Sequence, residues 1–223
     1  MTAPVEILQP DAADARSQSE QAYFAIRELI VTLELAPGSL VDERDLMTRL
    51  ELGRTPVREA LRALAQEKLI EVYPRRGMFV TPVDARNLAS LSEVRGVLEP
   101  FAAGLAAERA SETDRVELAD LLDELDAVLA DPAGRRLIEV DQRIHRFVHQ
   151  AAHNAFLESV LDEYYMHALR IWFLALDKVT DLEAAVLEHR ALLEAIRDGD
   201  SETATTVMSS HVDGFEAGIR RAL

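Results

Sequence analysis

The chain has 223 residues, 48% of them hydrophobic and 29% charged, with a net charge of -16 and no cysteine. That length supports one large or two ordinary domains, and the balance is that of a globular chain, not a disordered one. Disulfides and thiolate metal sites are excluded. The N-terminus has no basic stretch followed by an apolar run, and no segment approaches the roughly 18 apolar residues that span a bilayer, so a cytoplasmic protein is expected.

Residues 1–19 are polar and without period, and predict a flexible N-terminal arm. From Glu20 the positions Tyr23, Ile26, Ile30 and Leu33 keep a helical period to about Leu35, where Pro37-Gly38 stops it. Asp42 is placed to cap a short helix Glu43–Leu50, and Glu51-Leu52-Gly53 makes a turn. The next helix is predicted from about Pro56 to Glu67, with Thr55 as its cap and Pro56 at its first position, where no amide is lost. Arg54, Arg58 and Arg62 recur every four residues and so share one face, while Val57, Ala60, Leu61 and Leu64 supply the opposite one. Ile70-Glu71-Val72-Tyr73 and Met78-Phe79-Val80 alternate as strands around Pro74-Arg75-Arg76-Gly77, a tight connection with glycine where positive φ is needed. Three helices and a hairpin over residues 20–82 make a winged helix-turn-helix. An Arg-faced helix behind a short helix suits a DNA major groove.

Net acidity opposes nucleic-acid binding, but it is unevenly spread. Residues 1–82 carry 10 Lys and Arg against 13 Asp and Glu, whereas residues 83–223 carry 14 against 27. Within residues 54–76 six basic residues face three acidic ones. The surplus of acid sits mainly where DNA need not reach.

Beyond Pro82 no strand pattern occurs. A long helix over residues 84–110, bent near Pro100, is followed by helical periods at 112–130, 137–152, 156–177, 181–198 and 200–221. Breaks fall at Asp131-Pro132-Ala133-Gly134, Asn154, Thr180 and Asp198-Gly199-Asp200. The fold class is mainly α: a winged helix-turn-helix, then an all-helical antiparallel bundle over residues 83–223.

Asp141 and His145 lie one turn apart on one helix, and His189 and His211 sit on two later ones. One carboxylate and three imidazoles meeting inside a bundle would suit zinc, nickel or manganese. His149 and His153 continue the same stride, so the ligand set stays open, and a merely polar histidine-rich face, with His167 as another ordinary histidine, is the alternative. Arg95 could bind the carboxylate of a small ligand, or simply pair with Glu99 four residues on.

The runs Leu35-Ala36-Pro37-Gly38-Ser39-Leu40, Glu43-Arg44-Asp45-Leu46, Arg54 to Leu64 and Gly77-Met78-Phe79-Val80 resemble the winged-helix domain of GntR-family transcription regulators. Glu93-Val94-Arg95 with Leu98-Glu99, Asp141 to His145 with Asn154, Glu188-His189, and His211 resemble the FCD ligand-binding domain of the FadR-like subgroup. The resemblance covers roughly residues 20–220. It implies that Arg44, Arg54, Thr55 and Arg58 contact operator DNA, with Arg76-Gly77 at the wing tip. It also implies Asp141, His145, His189 and His211 as metal ligands, leaving His149 and His153 accessory. Ile144 stands where an aromatic residue is common, and His153 where glycine is common. The subgroup's fatty-acyl-CoA-binding member lacks this ligand set, so its effector is not carried over.

The expectation is a homodimeric, ligand-responsive regulator, a repressor more readily than an activator, with two recognition helices on a palindromic operator. A small carboxylate effector would bind between a divalent metal, zinc first, and Arg95. A metal-dependent enzyme is the rival from another class, but no convincing base accompanies the ligands, although Glu188 and Asp213 neighbour them in sequence. A winged helix that mediates only protein contacts is the third reading, and the Arg stride beside a double-Arg wing argues against it.

Overall fold

The first helix, α1 (Gln18–Val31), is capped by Ser17, whose Oγ accepts from the Glu20 amide at 3.2 Å. The computed structural model describes residues 17–83, 86–130, 134–175 and 182–222. Most of the expected N-terminal arm, and the breaks at residues 131–133 and Thr180, lie outside them. α1 ends four residues before the expected Leu35. Leu33 takes a left-handed backbone, φ 63°, and the Leu35 amide bonds back to Leu29 O at 2.8 Å. Leu35 kept the apolar period because the chain folds back, half-burying it against the same core.

α2 (Glu43–Leu50) starts at Asp42, whose carboxylate accepts from the amides of Arg44 and Asp45 at 2.8 and 3.2 Å. α3 (Arg54–Gln66) starts two residues earlier than expected, with Gly53 at the cap position and no side-chain cap. Thr55 is therefore its second residue rather than its cap. Pro56, now third, still costs no hydrogen bond, because the first four amides of a helix have no partner within it. β1 (Ile70–Tyr73) and β2 (Gly77–Val80) pair antiparallel, Ile70 opposite Val80 and Tyr73 opposite Gly77. An isolated bridge from Leu40 to Phe79 adds a short third edge. Ile26, Ile30, Leu46, Val57, Leu61, Leu64, Leu69 and Val80 fill the core under the three helices and the wing.

A second compact unit spans Ala85–Leu223. It contains α4 (Arg86–Arg109), α5 (Glu112–Ala130), α6 (Gly134–Ala151), α7 (Ala155–Ala175), α8 (Leu182–Asp198) and α9 (Ser201–Ala222). α4 packs against α6, α7, α8 and α9 and continues as helix through Pro100. Ala103, Gly104, Ala106 and Ala107 keep its surface low, so α9 approaches closely. After α6, His153 adopts φ 46°, with Nε2 2.8 Å from Asp114 Oδ2, and Asn154 Oδ1 accepts from the Leu157 amide at 3.3 Å. Histidine thus does glycine's work at this turn, held there by a carboxylate of α5. No helix among the described residues is long and apolar enough to cross a membrane.

Candidate functional site

In the N-terminal unit, packing Val57, Ala60, Leu61 and Leu64 inward leaves Arg54, Arg58 and Arg62 exposed on the opposite side of α3. Arg44, Arg54, Arg58 and Arg75, with Leu40, Tyr73 and Gly77, line one concave surface formed by α2, the start of α3 and the wing. Arg58 Nε is held 2.9 Å from Glu43 Oε2, which steers its guanidinium toward α2. Thr55 is exposed at the first turn of α3, where uncapped amides suit an anionic oxygen. Gly77 has φ 107°, and a Cβ there would come within 3.1 Å of Leu40 Cδ1. Arg76 lies over the Tyr73 ring at 5.7 Å, while Arg75, at φ 65°, reaches the concave side. The resemblance put Arg76-Gly77 at the tip and the sequence left Arg75 as its neighbour in the turn; the turn geometry that separates the adjacent arginines has no local sequence signal.

In the helical unit, the sequence-selected ligands converge. Asp141 and His145 from α6, His189 from α8 and His211 from α9 are all buried, with donor atoms mutually within 4.8 Å. His145 Nε2 lies 3.2 Å from His211 Nε2 and 3.4 Å from His189 Nε2. Asp141 Oδ1 lies 3.3 Å from His189 Nε2 and 3.8 Å from His145 Nε2. Four donors at about 2.0–2.1 Å from one ion stand roughly 3.3–3.4 Å apart when tetrahedral, so these spacings fit.

The outer edges of two of the rings face carboxylates. His145 Nδ1 is 3.0 Å from Glu99 Oε2, and His211 Nδ1 is 3.1 Å from Glu188 Oε2. The His211 contact is a hydrogen bond, whereas the His145 contact is an ion-pair distance without hydrogen-bond geometry. The inward nitrogens lie beside Asp141 Oδ1, which has no hydrogen-bond partner.

Electrostatics agree. Burial, with the His211 charge, the Tyr165 hydrogen bond and Arg95 opposing it, pushes the Asp141 carboxyl up to about 6. Burial holds His145 below the usual histidine range, and His189 well below it with help from His211 and His145. Neutral imidazoles are the metal-binding form. Burial tends to raise Glu99, but Arg95 and His145 outweigh it and hold the carboxyl well below its ordinary range.

Arg95 is buried, with Nε donating to Glu99 Oε1 at 2.5 Å and its guanidinium 5.1 Å from the Phe215 ring. The Glu99 pairing weighed at the sequence level is the one found. Tyr165, which the sequence did not single out, donates to Asp141 Oδ2 at 2.5 Å and stacks on His145 at 4.7 Å. His149 is buried beside the cluster, His153 is exposed, and His167 is half-buried on α7.

Residues 18–80 match the bacterial regulatory proteins of the gntR family, and residues 90–214 match the FCD domain. The galactonate operon transcriptional repressor of Escherichia coli K12 is 30% identical over 87% of this chain and 95% of its own length. The fold is similar to that of E. coli McbR/YncC, TM-score 0.81 at 21% identity, covering 92% of this chain and 98% of that one. It is also similar to a metal-free FCD domain of TM0439, TM-score 0.52 at 22% identity, covering 62% and 95%.

Proposed function

Because this chain belongs to the GntR family of bacterial transcription regulators and carries an FCD domain, we propose that it is a homodimeric, metal-containing repressor released from its operator by a small carboxylate. The chain is a DNA-binding transcription regulator, not an enzyme. That role places it in the cytoplasm, beside its operator.

The observation that carries the metal reading is the buried convergence of Asp141 Oδ1 with the Nε2 atoms of His145, His189 and His211. Asp141, His145, His189 and His211 would hold the ion. With no thiolate, the donor set suits zinc first, and nickel or manganese next. A bound ion would supply a Lewis-acidic position for an effector's carboxylate oxygen. Arg95 would add a second, charge-assisted contact, since Nε alone is engaged by Glu99 and a guanidinium carries five N–H groups. One relative is named for the operon of galactonate, itself a sugar acid.

On the DNA side, Arg44, Arg54, Thr55 and Arg58 would meet phosphates and base edges of the major groove, with Arg76-Gly77 and Arg75 on the wing. Exposed Val97 (70%) and Phe101 (55%) on α4, and Phe156 (88%) and Val160 on α7, support a second copy docking on the helical unit. A two-fold dimer would occupy a palindrome.

The effector must bind the released arrangement more tightly than the operator-bound one, since equal affinity shifts nothing. Binding to DNA from upstream of the protein's own gene, against competitor and at two salt concentrations, tests the reading, with zinc and sugar or hydroxy acids then added. A discrete shift that an acid reverses only in metal-loaded protein is expected. Operator binding that no acid alters, with or without metal, would contradict the effector half of the reading.

A further inference from the structure

Glu43 puts a carboxylate on the same concave surface as Arg44, Arg54 and Arg58. An acid there opposes the attraction of arginines for phosphate. Asp42, the neighbouring acid on that surface, is accounted for by the fold, since its carboxylate caps α2. Glu43 is the first residue of α2, where any acid gains a little from the helix dipole. It does more than that, because its Oε2 crosses to α3 and accepts from Arg58 Nε at 2.9 Å.

That contact decides which edge of Arg58 is free. A guanidinium carries five N–H groups in one plane, and a guanine edge is read by two of them reaching O6 and N7. With Nε engaged by Glu43, the terminal Nη1 and Nη2 form the edge left for such a pair. The plane of the group is also tied to a second helix, so part of its rotamer freedom is lost before DNA arrives. The Arg58 side chain remains half exposed, which leaves that outer edge within reach of a base.

We infer that Glu43 determines specificity as a positioning residue, holding Arg58 for base reading instead of general phosphate contact. The inference rests on the reading that Arg58 meets operator DNA. Removing the carboxylate should therefore move two quantities in opposite directions: base discrimination falls while attraction to unrelated DNA holds or rises. A residue that only braced α2 against α3 would lower both together.

The test uses a duplex selected from random sequence by the full-length wild-type protein, with each base pair then changed in turn. Gel shifts with Arg58→Ala mark the base pair at which the wild type discriminates and that variant does not. Wild-type discrimination there should be about tenfold or more, as a bidentate arginine contact gives. Glu43→Ala should lose most of it, keep the preferences at other positions within about twofold, and bind an unrelated duplex at least as tightly as the wild type. Glu43→Gln, which retains an acceptor oxygen, should keep an intermediate preference and serves if Glu43→Ala does not fold. Full discrimination in both variants would overturn the inference, as would equal losses on selected and unrelated duplexes. A preference lost at a different base pair would also overturn it, making Glu43 a reader in its own right. If Arg58→Ala weakens every duplex equally, Arg58 holds phosphate, and the inference fails while DNA binding stands. If no duplex is selected, the operator reading fails and this inference with it.

Discussion

His145 Nε2 and His211 Nε2 meet at 3.2 Å in the middle of the helical bundle, each ring with Nδ1 facing a carboxylate on its far side. The close approach is made by α6 and α9, with the facing carboxylates on α4 and α8, rather than by any local motif.

Metal binding should stabilise the native fold, since the unfolded chain has no preformed site. Zinc at about 100 times its dissociation constant should add about 2.7 kcal/mol. Thermal melts with zinc and with chelator should differ by several degrees in the wild type. His189→Ala should melt at one temperature in both, and a zinc-dependent rise in that variant would argue against His189 as a ligand.

Glu99 links Arg95 to His145, so Glu99→Gln should act on both. Removing one partner of a buried ion pair costs about 3–5 kcal/mol. Loss of the carboxylate behind a metal-binding histidine lowers metal affinity by about 10–100-fold. Denaturant melts and zinc titration check the two separately. An unchanged zinc affinity would mean that Glu99 serves Arg95 alone.

α9 approaches α4 so closely that a Cβ on Gly104 would stand 2.6 Å from Thr205 Oγ1 and 3.1 Å from Ser201 Oγ. Gly104→Ala should destabilise the helical unit by about 1–3 kcal/mol, as overpacking does. Adding Thr205→Ala should restore part of the loss. A Gly104→Ala protein as stable as wild type would mean that the two helices separate easily.

Arg54→Ala and Arg58→Ala should each weaken operator binding by tenfold or more, about 1–3 kcal/mol for a lost base-reading arginine. Arg62, outside the concave surface, should matter less. Gly77→Ala, which meets both a positive φ and Leu40, should lower DNA affinity while leaving the helical circular dichroism intact. Gel shifts at two salt concentrations decide, and equal losses for Arg54 and Arg62 would contradict the assigned surface.

The helices were legible because amphipathic period, Asp42, Pro37-Gly38 and Asn154 are local signals. Boundaries set by tertiary contact were not: Leu35 kept the period while folding back, and α3 began at Arg54 without a side-chain cap. The candidate quartet was legible because Asp141 and His145 share a helix face and His189 and His211 lie on later helices, while the resemblance chose these four over His149 and His153. Tyr165 and Glu188 carried no spacing signal toward Asp141 and His211, because those contacts exist only once separate helices pack. Arg75 and Arg76, adjacent in sequence, were separable only by the wing's turn.

The most direct measurement is a calorimetric zinc titration of chelator-stripped full-length protein beside its Asp141→Ala and His211→Ala variants. One ion per wild-type chain, with affinity falling by several orders of magnitude in both variants, is the expected result. Absence of zinc, nickel and manganese binding in the wild type, or unchanged affinity in the variants, would contradict the metal centre.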